Sequence, residues 1–244
     1  MNWLLKKPIA HRGLHNIKES IPENSLPAFE KAIQKDFPVE LDVRILKDDT
    51  VVVFHDNSLD RLTGLNKLIR DIPFSGLKYI YLLNTKEKIP SLDEALTLID
   101  GKVPVLIDIK NEGKTAHLEQ ELLKILKNYK GEFAVQSFNP LSLLWFEKNA
   151  PGILHGQLFS DSGYLKIGIF KKMILSYFFN RKVRPQFISY DITALPNRKV
   201  SKLRTKGIPV LSWTITNNKD LIKAKKYSDN YIFEFINSDD SVSY

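Results

Sequence analysis

Apolar residues recur along this chain in short, β-branched runs, separated by amphipathic stretches and by Gly, Pro and Asn punctuation. Nine runs predict strands: residues 8–13, 39–46, 51–55, 103–109, 133–138, 153–159, 186–190, 208–214 and 231–235. Helical spacing falls between most of them, over 26–35, 118–129, 141–148, 199–206 and 219–227. Leu122, Leu123, Ile125 and Leu126, for example, return to one face of a helix. Such alternation argues for a parallel sheet with helices outside it.

One connection is too short for a parallel crossover. Only Lys47-Asp48-Asp49-Thr50 separates the second and third runs, so they predict an antiparallel hairpin. Setting the third strand aside leaves the strand count of a closed (β/α)8 TIM barrel. An open doubly wound sheet is the alternative, but no Gly-rich nucleotide loop follows the first strand. With the turn centred on Asp48-Asp49, Leu46 pairs with Val51, Arg44 with Val53 and Asp42 with His55. Glu40, Asp42 and His55 then share a face, an expectation that a one-residue slip would reverse for His55.

Two regions stand apart from the alternation. Residues 57–90 hold turn residues and short aromatic pieces and predict a long loop or small insertion. The stretch 164–184 mixes Ile, Leu, Met and Phe with Lys171, Lys172, Arg181 and Lys182. It reads as a crossover helix packed on the barrel, or as an amphipathic surface for peripheral contact with an anionic membrane.

The chain length of 244 residues suits a single barrel domain spanning 1–244. At 43% hydrophobic and 26% charged it has the composition of a globular protein, which excludes disordered and fibrous classes. The absence of cysteine removes disulfides, thiolate metal sites and thiol chemistry. No signal-peptide core opens the chain, and no apolar run reaches the roughly 20 residues of a membrane span. Cytoplasmic location is therefore expected. A net charge of +8 favours anionic partners, but no nucleic-acid recognition motif accompanies it, so none is expected to bind.

Three islands carry the candidate chemistry: His11-Arg12-Gly13, Glu40-Leu41-Asp42 and His55-Asp56. Two imidazoles exchange protons near neutral pH, and paired carboxylates suit a hard cation. An arginine beside the first imidazole suits a phosphate oxygen. Together they are equipment for metal-assisted cleavage of a phosphate ester. With Pro22-Glu23-Asn24-Ser25, Asp108-Ile109-Lys110, Gln136-Ser137-Phe138 and Ser212-Trp213-Thr214 in this order, the chain resembles the glycerophosphodiester phosphodiesterase family. The resemblance runs from about Pro8 to the last strand.

That resemblance implies a TIM barrel hydrolysing glycerophosphodiesters to sn-glycerol 3-phosphate and an alcohol, with a divalent cation, Mg²⁺ or Ca²⁺. It places the metal on Glu40, Asp42 and Asp108, the last standing where the family commonly has glutamate. It makes His11 and His55 the acid-base pair, leaving open which is acid and which is base. Arg12 and Lys110 would face phosphate oxygens. Glu23 is either part of the site or of the cap of the first helix, for which Asn24 or Ser25 is the N-cap candidate. Trp213 is an apolar wall for the substrate or simply core. The last strand ends in Glu234 where the family commonly has aspartate. His15, His117 and His155 match no motif and are expected to be structural or exposed. A lysophospholipase D acting on membrane lysophospholipids, or a non-catalytic phosphate-binding barrel, are the alternatives.

Overall fold

All nine expected strands form, and eight of them close a ring. The computed structural model describes residues 2–111, 116–160 and 182–234. Its strands are β1 (Ile9–Ala10), β2 (Val39–Ile45), β3 (Val51–Val53), β4 (Val105–Ile109), β5 (Phe133–Ser137), β6 (His155–Phe159), β7 (Phe187–Asp191), β8 (Val210–Ile215) and β9 (Asn230–Phe233). They are hydrogen-bonded in the order β1-β9-β8-β7-β6-β5-β4-β2, and Ala10 pairs back onto Val39 to close the cylinder. Every pairing in the ring is parallel. Helices Leu26–Gln34 (α1), His117–Leu126, Pro140–Asn149, Arg198–Thr205 and Asn218–Tyr227 stand where periodicity places them. This is the TIM barrel.

Alternation along the strands divides the residues between two cores. Leu41, Val43, Val105, Ile107 and Ile109 join the helix-facing core with Phe29, Leu96 and Leu122. Inside the ring, Ile9, Leu106, Ala134, Phe187, Leu211 and Ile232 pack with Trp3 and Leu4 of the N-terminal turn. Phe187 fits there because β6 carries Gly156, where a Cβ would lie 2.2 Å from its ring. Glu40, Asp42 and Asp108 share this inward parity but lie further along, or on the same level of, their strands. They are buried, so their presence needs partners.

The short β1 touches β2 only at Val39, which leaves the rest of that edge open. Strand β3 fills it, antiparallel, with Val43 opposite Val53, Arg44 opposite Val52 and Ile45 opposite Val51. The hairpin is real, but its register differs by one residue from the expected one. Leu46 N–H donates to Thr50 O across a three-residue loop, with Asp49 left-handed at φ 65°. A three-residue hairpin ending in an αL residue is a common solution, and Asp tolerates that conformation. Phe54 N–H donates to Asp42 O, so Phe54 takes the place opposite Asp42 that the sequence assigns to His55.

The insertion, residues 57–90, is more structured than a loop. It contains helix α2 (Asp60–Thr63) and 3-10 turns Ile69–Asp71 and Phe74–Leu77. Leu59, Leu62, Ile69, Leu77, Leu82 and Ile89 bury themselves against Val52 and Phe54 in a small core of their own. It is followed by α3 (Leu92–Ile99), which the periodicity reading does not contain. A capping box starts it: Ser91 Oγ accepts from Glu94 N–H and Glu94 Oε2 from Ser91 N–H. The amphipathic stretch 164–184 lies outside the described residues except for its end, where Val183 is buried. Among the described residues no helix is long and apolar enough to cross a membrane.

Candidate active site

Strand ends build the site at the carboxyl-terminal mouth of the barrel. The chain leaves β1 into His11-Arg12-Gly13 through a sharp turn, with Arg12 at φ 56° and Gly13 at φ 76°. A Cβ on Gly13 would lie 2.7 Å from the Ala28 carbonyl carbon, so only glycine lets this turn sit against α1. His11 N–H donates to Phe233 O, which fixes the imidazole between β1 and β9.

Neighbouring strands bring the carboxylates together. In the β2–β4 register Asp42 lies directly opposite Asp108, with Glu40 one inward position below. Glu40, Asp42 and Asp108 each present an oxygen such that all lie within 4.8 Å of one another. Such crowding under burial has opposite effects on the three groups. Burial and the charges of Asp42 and Asp108 push the Glu40 carboxyl well above the usual carboxylate range. Burial also pushes Asp108 up, against the attraction of Lys110. Burial would do the same to Asp42, but Lys110 and Arg12 hold it well below its ordinary value.

The two cations stand inside this cluster. Lys110 Nζ is 2.6 Å from Asp108 Oδ2 and 3.0 Å from Asp42 Oδ1. Arg12 Nε is 3.2 Å from Asp42 Oδ2, Arg12 N–H donates to Glu40 Oε2 at 3.0 Å, and Nη1 donates to Glu23 Oε1 at 2.6 Å. Burial would lower the pKa of both cations, yet the carboxylates keep both above their ordinary values, so they stay charged.

Each imidazole has a carboxylate behind it. His11 Nδ1 is hydrogen-bonded to Glu234 Oε1, and its Nε2 lies 3.8 Å from Glu40 Oε2. Burial lowers the His11 pKa, partly opposed by the bond to Glu234. Burial would raise Glu234, but the hydrogen bond from His11 and the nearby His15 hold it far below the usual range. His55 Nδ1 is 2.6 Å from Asp56 Oδ1. Although the register slips, His55 remains at the site: β3 ends at Val53, so the pleat no longer dictates its direction. Arg44 Nε donates to His55 O at 2.7 Å and holds this segment against β2.

The structure therefore brings His11, Arg12, Glu23, Glu40, Asp42, Asp108 and Lys110 into one connected network, which His55 joins through Asp56 and Arg61. Trp213 lies on the same mouth, its ring edge-on to Phe138 at 5.6 Å, while Lys110 Nζ is 5.9 Å from the Phe138 ring. Glu23 bonds to Arg12 and Arg61 and to no histidine. Sequence reasoning missed three members. Asn24 does not cap α1: its Nδ2 donates to Asp42 Oδ2 at 2.8 Å. Ser25 occupies the cap position without a side-chain cap bond and donates to Pro22 O instead. His15 is not idle, since its Nε2 lies 3.7 Å from Glu234 Oε1. Arg61 comes from the insertion. His117 is exposed beside Asp49, and buried His155 bonds to the carbonyls of Ile153 and Val183.

The mouth of this TIM barrel thus holds buried carboxylates, fixed cations and two carboxylate-backed imidazoles. The glycerophosphoryl diester phosphodiesterase family model matches residues 11–235. The chain belongs to that family. It is 29% identical over 228 residues to a glycerophosphodiester phosphodiesterase of Caldanaerobacter subterraneus, covering 87% of each chain. The crystal structure of a glycerophosphodiester phosphodiesterase from Thermotoga maritima superposes with a TM-score of 0.73 at 30% identity, over 93% of this chain and 94% of that one. A phosphodiesterase of Oleispira antarctica, in complex with the product sn-glycerol-3-phosphate, shares the fold with a TM-score of 0.78 at 24% identity, over 94% and 93% of the two chains.

Proposed function

We propose that this chain hydrolyses glycerophosphodiesters to sn-glycerol 3-phosphate and an alcohol, using His11 and His55 for proton transfer and Glu40, Asp42 and Asp108 to hold Mg²⁺ or Ca²⁺. The observation that carries the reading is the meeting of three buried carboxylates, with oxygens within 4.8 Å, beside the His11 imidazole, whose Nε2 is 3.8 Å from Glu40 Oε2.

The donor set suits a hard divalent cation. All three ligands offer oxygen, and Asp42 Oδ1 and Asp108 Oδ1 are buried without an aligned hydrogen-bond partner among the described residues. When bound, such an ion neutralises charge on a phosphate oxygen. The remaining chemistry belongs to the side chains. Arg12 and Lys110, held charged, attract the phosphodiester and stabilise the negative charge that grows on its oxygens. One imidazole takes the proton of the attacking hydroxyl and the other protonates the departing alkoxide. Glu234 and Asp56 each engage an Nδ1, which leaves both Nε2 atoms for these transfers and favours the tautomer each needs. Asn24 orients Asp42. Trp213 and Phe138 form an apolar wall beside Lys110 for the glycerol or head group. A reducing cytoplasm is the setting for this activity, consistent with the lack of cysteine.

Purified protein is expected to release glycerol phosphate from glycerophosphocholine when Mg²⁺ or Ca²⁺ is supplied. His11→Ala and His55→Ala should each abolish turnover while melting within a few degrees of wild type. Undiminished hydrolysis in His55→Ala would overturn the mechanism.

A further inference from the structure

The insertion contributes a side chain to the active-site network that the reaction chemistry does not itself require. Arg61, on α2, bonds to two carboxylates from different parts of the chain. Its Nε donates to Asp56 Oδ2 at 2.6 Å. Its Nη1 and Nη2 donate to Glu23 Oε2 and Oε1 at 2.8 and 2.7 Å, a two-pronged pairing. Asp56 turns its other oxygen to His55 Nδ1, and Glu23 Oε1 also accepts from Arg12 Nη1 at 2.6 Å. One planar guanidinium thus sits at the centre of a continuous path from the His55 imidazole to the Arg12 guanidinium.

We infer that Arg61 is a positioning residue that locks the His55 ring and the Arg12 guanidinium into one geometry. The inference rests on the roles proposed above for those two residues. Without Arg61, Asp56 loses the donor that aims its carboxylate, and the His55 ring loses its fixed tautomer. Glu23 loses two donors and holds Arg12 from one side only. The alternative is an ordinary surface ion pair, since the Arg61 side chain is 47% exposed. Pairs of that kind contribute little to stability, so removing one hardly moves the melting temperature. A pure surface pair would leave catalysis and the His55 ring unchanged as well. Lysine cannot replace the arginine here, because a single ammonium does not offer three donors in a plane.

The experiment compares wild type, Arg61→Ala, Arg61→Lys, Asp56→Asn and the Arg61→Ala/Asp56→Asn double variant, with glycerophosphocholine and Mg²⁺. Arg61→Ala should lower kcat by about tenfold to a hundredfold, a share of the usual general acid-base contribution. It should also raise KM through the loosened Arg12, with the melting temperature little changed. Arg61→Lys should not restore either constant. In the Asp56→Asn background, Arg61→Ala should lower kcat no further while KM still rises, because only the Glu23 branch remains to be lost. Equal kcat losses in both backgrounds, or full rescue by lysine, would overturn the inference. Independently of turnover, ¹⁵N spectra of the His55 ring should show protonated Nδ1 in wild type and a tautomer mixture in Arg61→Ala. An unchanged ring would also overturn it. Wild type that hydrolyses no glycerophosphodiester, yet shows this ring difference, would remove the catalytic reading and support the coupling.

Discussion

Replacing Glu40 with glutamine separates the cost of the carboxylate cluster from its use. At 4.8 Å, the upper limit of their separation, two ionised carboxylates repel by about 3.5 kcal/mol at an effective dielectric constant of about 20. Glu40 faces two such partners, and Lys110 and Arg12 return much of that repulsion. A net destabilisation of ~1–3 kcal/mol by ionised Glu40 is a reasonable residue of these opposing terms. Because burial and its neighbours raise the Glu40 pKa, the folded protein holds this proton more tightly than the unfolded chain does. Its contribution is therefore favourable in acid and is lost as pH rises through the folded value. In EDTA at pH 8, Glu40→Gln should melt higher than wild type by roughly 2–12 °C, taking ~2–4 °C per kcal/mol for a chain of this size. Excess Mg²⁺ should reverse the order. At a hundred times Kd it stabilises wild type by about 2.7 kcal/mol, and the variant, short of one ligand, by much less. Differential scanning calorimetry with and without the metal reads both effects. A variant that melts below wild type in EDTA, or the same Mg²⁺ shift in both proteins, would refute the reasoning.

Three further outcomes can be checked. Asp56, Glu23 and Glu234 all titrate below their ordinary values despite burial, so their pairings stabilise the fold above the unfolded values near pH ~4 and are lost as pH falls. The melting temperature of the wild type should therefore fall between pH 6 and pH 3, and a flat profile would count against these pairings. Gly13→Ala combines a positive φ with a close approach to Ala28; it should cost about 2–4 kcal/mol in urea unfolding. Glu234→Gln removes the charged partner of His11 and should lower kcat by more than about tenfold without loss of fold, read from steady-state kinetics.

The strands were legible because each is a short β-branched run bounded by turn residues, and the main core needs little else. What failed was local backbone geometry. Lys47-Asp48-Asp49 closes the hairpin as three residues with Asp49 left-handed, and that choice shifted the register by one. His55 still joins the network, through Asp56 and Arg61, because the pleat ends two residues before it. Helix α3 escaped a periodicity reading, although Ser91 and Glu94 at capping-box spacing signal its start. Asn24 reads from the sequence as an N-cap candidate, and only the fold reveals that Asp42 is in reach. The pairing of Glu23 with Arg61, 38 residues apart, has no local signature at all. Long-range ion pairs depend on where an insertion folds back, and that is decided by its own small core of Leu59, Leu62 and Ile69.

Lys110 has one more effect, through its seat between Asp42 and Asp108. Many small metalloproteins collapse when stripped of their ion, because nothing else balances the ligands. Here an ammonium tethered to the neighbouring strand acts as a resident counter-ion. With the proposed cation withheld, the barrel should therefore stay folded, its carboxylates balanced until an ion arrives.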